Sequence, residues 1–235
     1  MNAAPRILVA DARAAYLGPG LKLTAHRNAV ATIALGLEHA FTLTLFDEGA
    51  PAARETRMAV IAPGALHHLE TRGAMAFLYL DALSDAYARL DPRPEAAADI
   101  LGMGPAVTIA EVWSAVGIPH RAPLDDAMAR TVRALDADPC AFASVHDGAR
   151  LAGLSASRFQ HAFRAATGAP FRRYRLWRRM AVVTRMLASG KNLTTAAHEA
   201  GFSSSAHLSA TFRAMFGVSP SALRAAGARF EASAA

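Results

Sequence analysis

The chain has 235 residues, enough for one or two domains with cores of their own. A single cysteine, Cys140, excludes an intramolecular disulfide and a thiolate zinc site, and no apolar run approaches the ~20 residues of a membrane span. Charge divides the sequence: residues 140–230 hold thirteen Lys/Arg against Asp147 and Glu199, while residues 1–139 hold twelve against sixteen Asp/Glu. A strongly basic half joined to a mildly acidic one is the asymmetry expected when only one of two domains meets phosphate groups.

From the N-terminus, residues 6–80 read as short strands broken by glycine, proline and charged turns. The candidates are Ile7–Ala10, Leu21–His26, Val30–Leu35, Phe41–Phe46, Met58–Ala62, Leu66–Glu70 and Met75–Leu80. Phe41-Thr42-Leu43-Thr44-Leu45 alternates with period two, and Pro63-Gly64 marks a turn. Many short strands at this spacing predict a small barrel or sandwich. Helices are expected near 82–90, 95–102 and 108–116. The last opens on Thr108-Ile109-Ala110-Glu111, a capping-box pattern, and stops before Gly117 and Pro119. The stretch Gly117–Pro123 has the composition of a linker.

Beyond it a pattern occurs twice. Ala149-Arg150-Leu151-Ala152-Gly153-Leu154-Ser155 precedes Phe159, Phe163-Arg164 and Gly168; Ala197-His198-Glu199-Ala200-Gly201-Phe202-Ser203 precedes Leu208, Phe212-Arg213 and Gly217. Gly153 and Gly201 suit the left-handed residue that closes a helix, and Ser155 and Ser203 can cap the next one. Phe159, Ala162, Phe163 and Ala166 then fall at helical spacing on one face, as do Leu208, Thr211, Phe212 and Met215. Gly168 and Gly217 close these helices, and Pro170 and Pro220 can open the next. A helix from Phe171 to Ser189 joins the copies. It spans roughly 28 Å, near the ~34 Å between successive major-groove faces of a duplex. Two helix-turn-helix units on one rigid connector make a tandem reader of double-stranded DNA.

The segments ARLAGLSASRFQHAFRAATGAPF and AAHEAGFSSSAHLSATFRAMFGVSPSALR resemble the DNA-binding domain of the AraC/XylS family of bacterial transcriptional regulators, over about residues 125–225. The resemblance implies an N-terminal domain over 1–118, a linker over 119–123 and the reader over 124–230. The fold class is then mixed: a cupin-like β-barrel or sandwich with following helices, then an all-α tandem helix-turn-helix domain. The N-terminal domain would bind a small-molecule effector, with His26 and His67 near its pocket, or mediate homodimerisation. RNA polymerase is a further partner of such regulators. A metal-binding cupin would carry a His-x-His pair, whereas this chain has His26-Arg27-Asn28, so neither metal nor cofactor is expected. A cupin-type metal enzyme fused to a DNA-targeting domain is the disfavoured alternative, and a dimerisation module without ligand is another. No charged segment followed by a long apolar core opens the chain, which is expected to work in the cytoplasm.

With Phe159 and Phe163 buried, the base-facing set of the first motif is Ala156, Ser157, Gln160 and His161. Glutamine can pair bidentately with adenine, and Gln160 matches a family position that contacts bases. The second motif offers only Ser204, Ser205, Ala206, Ser209 and Ala210, short side chains where relatives place glutamine and arginine. The first motif is therefore expected to dominate sequence discrimination. Arg158, Arg164, Arg172, Arg173, Arg178, Arg179, His207 and Arg213 are the phosphate candidates, and Trp177 is expected to anchor the connecting helix.

Overall fold

In the computed structural model, described for residues 4–10, 13–46, 50–80, 96–103, 107–117 and 124–232, the chain folds as two sheets followed by helices. The strands are β1 (Arg6–Ala10), β2 (Arg13–Pro19), β3 (His26–Arg27), β4 (Thr32–Gly36), β5 (Phe41–Leu45), β6 (Ala52–Thr56), β7 (Met58–Ile61), β8 (Leu66–Glu70), β9 (Ala74–Tyr79) and β10 (Arg229–Ala232). The helices are α1 (Ala96–Gly102), α2 (Ile109–Val116), α3 (Asp126–Ala137), α4 (Val145–Ala152), α5 (Ala156–Thr167), α6 (Phe171–Ala188), α7 (Leu193–Glu199), α8 (Ser205–Phe216) and α9 (Pro220–Ala225). One sheet runs β10-β1-β2-β9-β4-β7 and the other β3-β8-β5-β6.

Period-two alternation sorts the larger sheet into two cores. Along β9, Met75, Phe77 and Tyr79 face inward to the second sheet and the helical domain, while Ala76 and Leu78 face out. The outward set, with Leu8, Leu17, Ile33 and Leu35, is covered by Ile100 of α1 and by Val112, Trp113 and Val116 of α2. Helix α2 begins at the expected capping box: Thr108 Oγ1 accepts from Glu111 N and Glu111 Oε2 accepts from Thr108 N. The helix expected over 82–90 and most of the linker lie outside the described residues.

The structure differs from the sequence expectation at four strands. The segment 21–26 is extended only at its end, as β3. Strands β2 and β6 were not expected: β2 is rich in alanine, and β6 (Ala-Ala-Arg-Glu-Thr) is a solvent-exposed edge with no apolar alternation. The fourth difference changes the architecture. The C-terminal segment is not wholly helical, because after α9 the chain turns at Gly227 and adds β10, parallel to β1, to the N-terminal sheet.

The two halves consequently share one core. Tyr79 packs against Trp177 (5.7 Å between ring centroids) and edge-on against Phe216 (5.3 Å). At the far end of α8, Thr24 donates through its N–H (2.9 Å) and its hydroxyl (3.1 Å) to the Gly217 carbonyl. Gly217 has φ +73°, and a Cβ there would sit 2.7 Å from both His26 Nδ1 and Thr24 O, so only glycine lets the helix end seat on β3.

Beneath this contact the His26 and His67 rings meet at a tilt with centroids 4.2 Å apart, both buried, each donating from Nδ1 to a nearby carbonyl (Thr24 at 2.8 Å, Ala65 at 3.0 Å). Burial, with the neighbouring His67 and His68, lowers the His26 pKa to about 4. The unfolded chain binds a proton near pH 6.5 that the folded chain refuses until about pH 4. Stability is therefore full above pH ~6.5 and falls as the pH drops through that window, by about 3 kcal/mol in total. Urea denaturation at pH 7, 5.5 and 4.5 checks this, with a His26→Asn variant expected to flatten the dependence.

Candidate nucleic-acid interface

Each helix-turn-helix unit is assembled by local chemistry. Ser144 caps α4 in a capping box with Asp147, Gly153 closes the helix at φ +71°, and Ser155 caps α5 by accepting from Arg158 N. Phe159 and Phe163 are fully buried against Phe171 and Tyr174 of α6. Gly148 makes room for them: a Cβ there would lie 2.6 Å from the Phe159 ring. In the second unit Asn192 caps α7 and Ser204, not Ser203, caps α8. The extra residue of the second copy is thus absorbed in the turn. Ser203 Oγ is left free to pair with His207 Nδ1 at 3.0 Å.

The first motif presents its outward residues together. Ser157, Gln160, His161, Arg158 and Arg164 are exposed and Ala156 is half-buried. His161 Nδ1 is held by the Ser157 carbonyl at 2.9 Å, which leaves Nε2 pointing away from the helix backbone. Gln160, His161 and Arg164 line a concavity with Ser144, Arg172 and Arg175. Arg175 was not among the sequence candidates. It lies one turn beyond Arg172, a helical spacing that marks it for the same face, and its guanidinium also donates to the Phe142 carbonyl.

The second motif is smoother and less charged. Ser204, Ala206 and Ala210 are exposed, Ser205 and Ser209 half-buried, and Arg213 is exposed in the last turn. The His207 ring stands edge-on to Phe202 at 5.4 Å.

Three arginines have structural partners in place of solvent. Arg178 is 4% exposed and pairs with Asp136 of α3 at 2.8 Å, so it is a core cation and not a phosphate contact. Arg179 lies 4.0 Å over the Phe202 ring and donates from Nε to the Ala200 carbonyl at 2.6 Å, closing the end of α7. The Arg173 guanidinium lies over Gly64 of the N-terminal sheet domain, in the space a side chain would occupy. The high arginine content of α6 therefore overstates its phosphate-facing charge.

Between the halves lies an apolar cavity of about 50 Å³, lined by Ile7 and Val9 of β1, Tyr79, Trp177 and Met180, Phe212 and Phe216, and Leu223 of α9. Arg13 borders this wall through β2, but its guanidinium sits 5.9 Å from the Trp113 ring, on the outward face of the sheet. His26 and His67 are not in this wall; they belong to the contact under Gly217. Among the described residues no three His, Cys, Asp or Glu side chains converge as a metal site, and no helix is long and apolar enough to cross a membrane.

Removing Arg178 takes a buried guanidinium from Asp136. Because Asp136 is about one-third exposed, Arg178→Ala is expected to cost about 2–3 kcal/mol, short of the ~3–5 for a fully buried pair. Arg172→Ala should change stability by less than about 0.5 kcal/mol. Chemical denaturation of both variants compares them directly.

A helix-turn-helix domain family matches residues 149–226. No curated protein matches the sequence. Among solved structures the chain is similar to ToxT of Vibrio cholerae, with a TM-score of 0.58 at 11% identity over 92% of this chain and 98% of that one. ToxT bound to an unsaturated fatty acid gives 0.56 at 12%, over 94% and 95%. ToxT bound to (E)-4-(8-methylnaphthalen-1-yl)but-3-enoic acid gives 0.57 at 10%, over 91% and 99%. Residues 149–226 thus form a helix-turn-helix domain, and the chain shares the fold of ToxT.

Proposed function

We propose that this chain is a DNA-binding transcriptional regulator that reads two boxes on one face of a duplex, and that a small apolar acid, bound between its halves, controls the reading. The reader occupies residues 124–230 and the sensor residues 1–118. The observation that carries the first part is the grouping of Gln160, His161, Arg164, Arg172 and Arg175 around one exposed concavity at the recognition helix. Ala156, Ser157, Gln160 and His161 face bases, with Gln160 pairing to adenine; Arg158, Arg164, Arg172 and Arg175 hold phosphates. In the second motif Ser204, Ser205, Ala206, Ser209 and Ala210 lie against the groove with little reach, and His207 and Arg213 add backbone contacts.

Support for the second part is the interdomain cavity, lined mainly by apolar side chains with Thr184 among them. A largely hydrocarbon body fits that chemistry. The ToxT structures with a fatty acid and an aryl butenoic acid show that the fold accommodates ligands of this kind. Such a ligand acts on DNA occupancy only through unequal affinity for two arrangements of the halves.

Selection of random duplexes by the full-length protein, followed by sequencing, is expected to yield two enriched boxes about one helical turn apart, the first carrying more information. Gln160→Ala should lose about 1–3 kcal/mol of discrimination at one base pair. Arg172→Ala should weaken all sequences alike and lower the salt slope by about one. Larger losses of discrimination from Ser205→Ala or Ser209→Ala would reverse the ranking of the motifs. For the sensor, long-chain carboxylates should raise the melting temperature, and Ala181→Met, which fills the cavity, should reduce the rise.

A further inference from the structure

Resting on that reading of the cavity, we propose that the C-terminal strand β10 is a strap across the seam between the two halves and that it must part from β1 for a ligand to enter.

The cavity as it stands holds about 50 Å³. That is space for a water or two at ~30 Å³ each, whereas small-molecule pockets measure about 300–1,000 Å³. A ligand therefore enters only when a wall moves. Strand β2 is fixed on both sides, by β1 and β9. Helix α6 is buried between the readers and the sheet domain, with Trp177, Met180 and Val183 nearly inaccessible. Tyr79 sits in β9, paired to both β2 and β4. Leu21 and Leu23 are tied to Phe212, Phe216 and Val218 by the Thr24–Gly217 hydrogen bonds beside them. The remaining wall is Leu223 of α9, a six-residue helix, together with the strand β1 that β10 covers.

What holds that wall is short and partly solvated. β10 has four residues, its two end residues exposed and its middle two half-buried, lying against β1 and α6. Its pairing with β1 runs Arg6↔Arg229 to Val9↔Ala232, with Arg229 N donating to Pro5 O at 2.8 Å. The fastening is bidentate: Arg6 Nε and Nη2 reach the two Glu231 oxygens at 2.8 and 2.6 Å. The pair lifts the Arg6 pKa and holds the Glu231 carboxyl below its usual range. Ile7 and Val9, the β1 residues that line the cavity, lie within this same pairing. Movement of the strap thus displaces a cavity wall and the end of the second reader together. An edge strand closed by one ion pair belongs among the local openings that cost least.

The probe is 1-anilinonaphthalene-8-sulfonate, an apolar anion that fluoresces when bound, followed by stopped flow on the full-length protein. Variants are Arg6→Glu, the exchanged pair Arg6→Glu/Glu231→Arg, and Ala181→Met, which narrows the cavity from α6. Amide exchange is read over residues 6–9 and 229–232, with and without probe. The expected result is association about tenfold faster in Arg6→Glu, restored toward wild type by the exchanged pair, and exchange in both segments about tenfold faster when probe is bound. Probe binding that Ala181→Met weakens, but with neither rate nor exchange altered in the other tests, leaves the cavity as the binding site and overturns the strap. Probe that does not bind, or that ignores Ala181→Met, overturns the cavity and the strap with it. The exchanged pair guards against misfolding: if Arg6→Glu speeds association and the exchange does not reverse it, the ion pair is not the fastening.

Discussion

Helix α6 is buried on several faces at once, and that burial constrains both halves of the molecule. Phe171 and Tyr174 close the first helix-turn-helix core, Trp177, Met180 and Ala181 turn to the sheet domain, and Val183 and Leu187 complete the packing. A helix committed on so many sides cannot rotate without repacking neighbours at near-crystalline density. Its charged residues follow suit: Arg178 pairs with Asp136, Arg179 closes α7, and Arg173 reaches the turn at Gly64. The connector that spaces the two helix-turn-helix units is also the floor on which the sheet domain rests.

The reader was legible in the sequence because its determinants are local. Glycine closures, serine caps and a four-residue apolar rhythm lie within a few residues of what they control; α5, α6 and α8 begin and end within a residue or two of the expected bounds, and α4 ends at the expected glycine. The one slip, Ser203 for Ser204, occurs where the copies differ in length. Strand β2 was hidden because alanine satisfies any periodicity, and β6 because an edge strand in water has no need to alternate. Charge count was the less dependable guide. Burial of Arg178 depends on Asp136, forty-two residues earlier in the chain, and nothing in the local pattern of α6 distinguishes it from Arg172.

The outward faces of α5 and α8 differ in kind. The first combines a long amide, an imidazole and several guanidinium groups within one concavity. The second presents hydroxyls and methyls, and its helix is held at the opposite end, where Gly217 meets Thr24. The sheet domain therefore grips the second helix-turn-helix unit at its far end and leaves the outward faces of both helices exposed.

The parallel pairing of β10 with β1 also orders events during synthesis. Strand β1 has its outer edge covered by a strand more than two hundred positions later in the sequence. Until β10 has been made, the sheet carries an open edge of the kind that templates wrong pairings. Its closure waits on the completed reader, because α9 must fold before the turn at Gly227 can deliver β10. A chain cut short anywhere before β10 would thus leave the edge of β1 uncovered, however well its helices had folded.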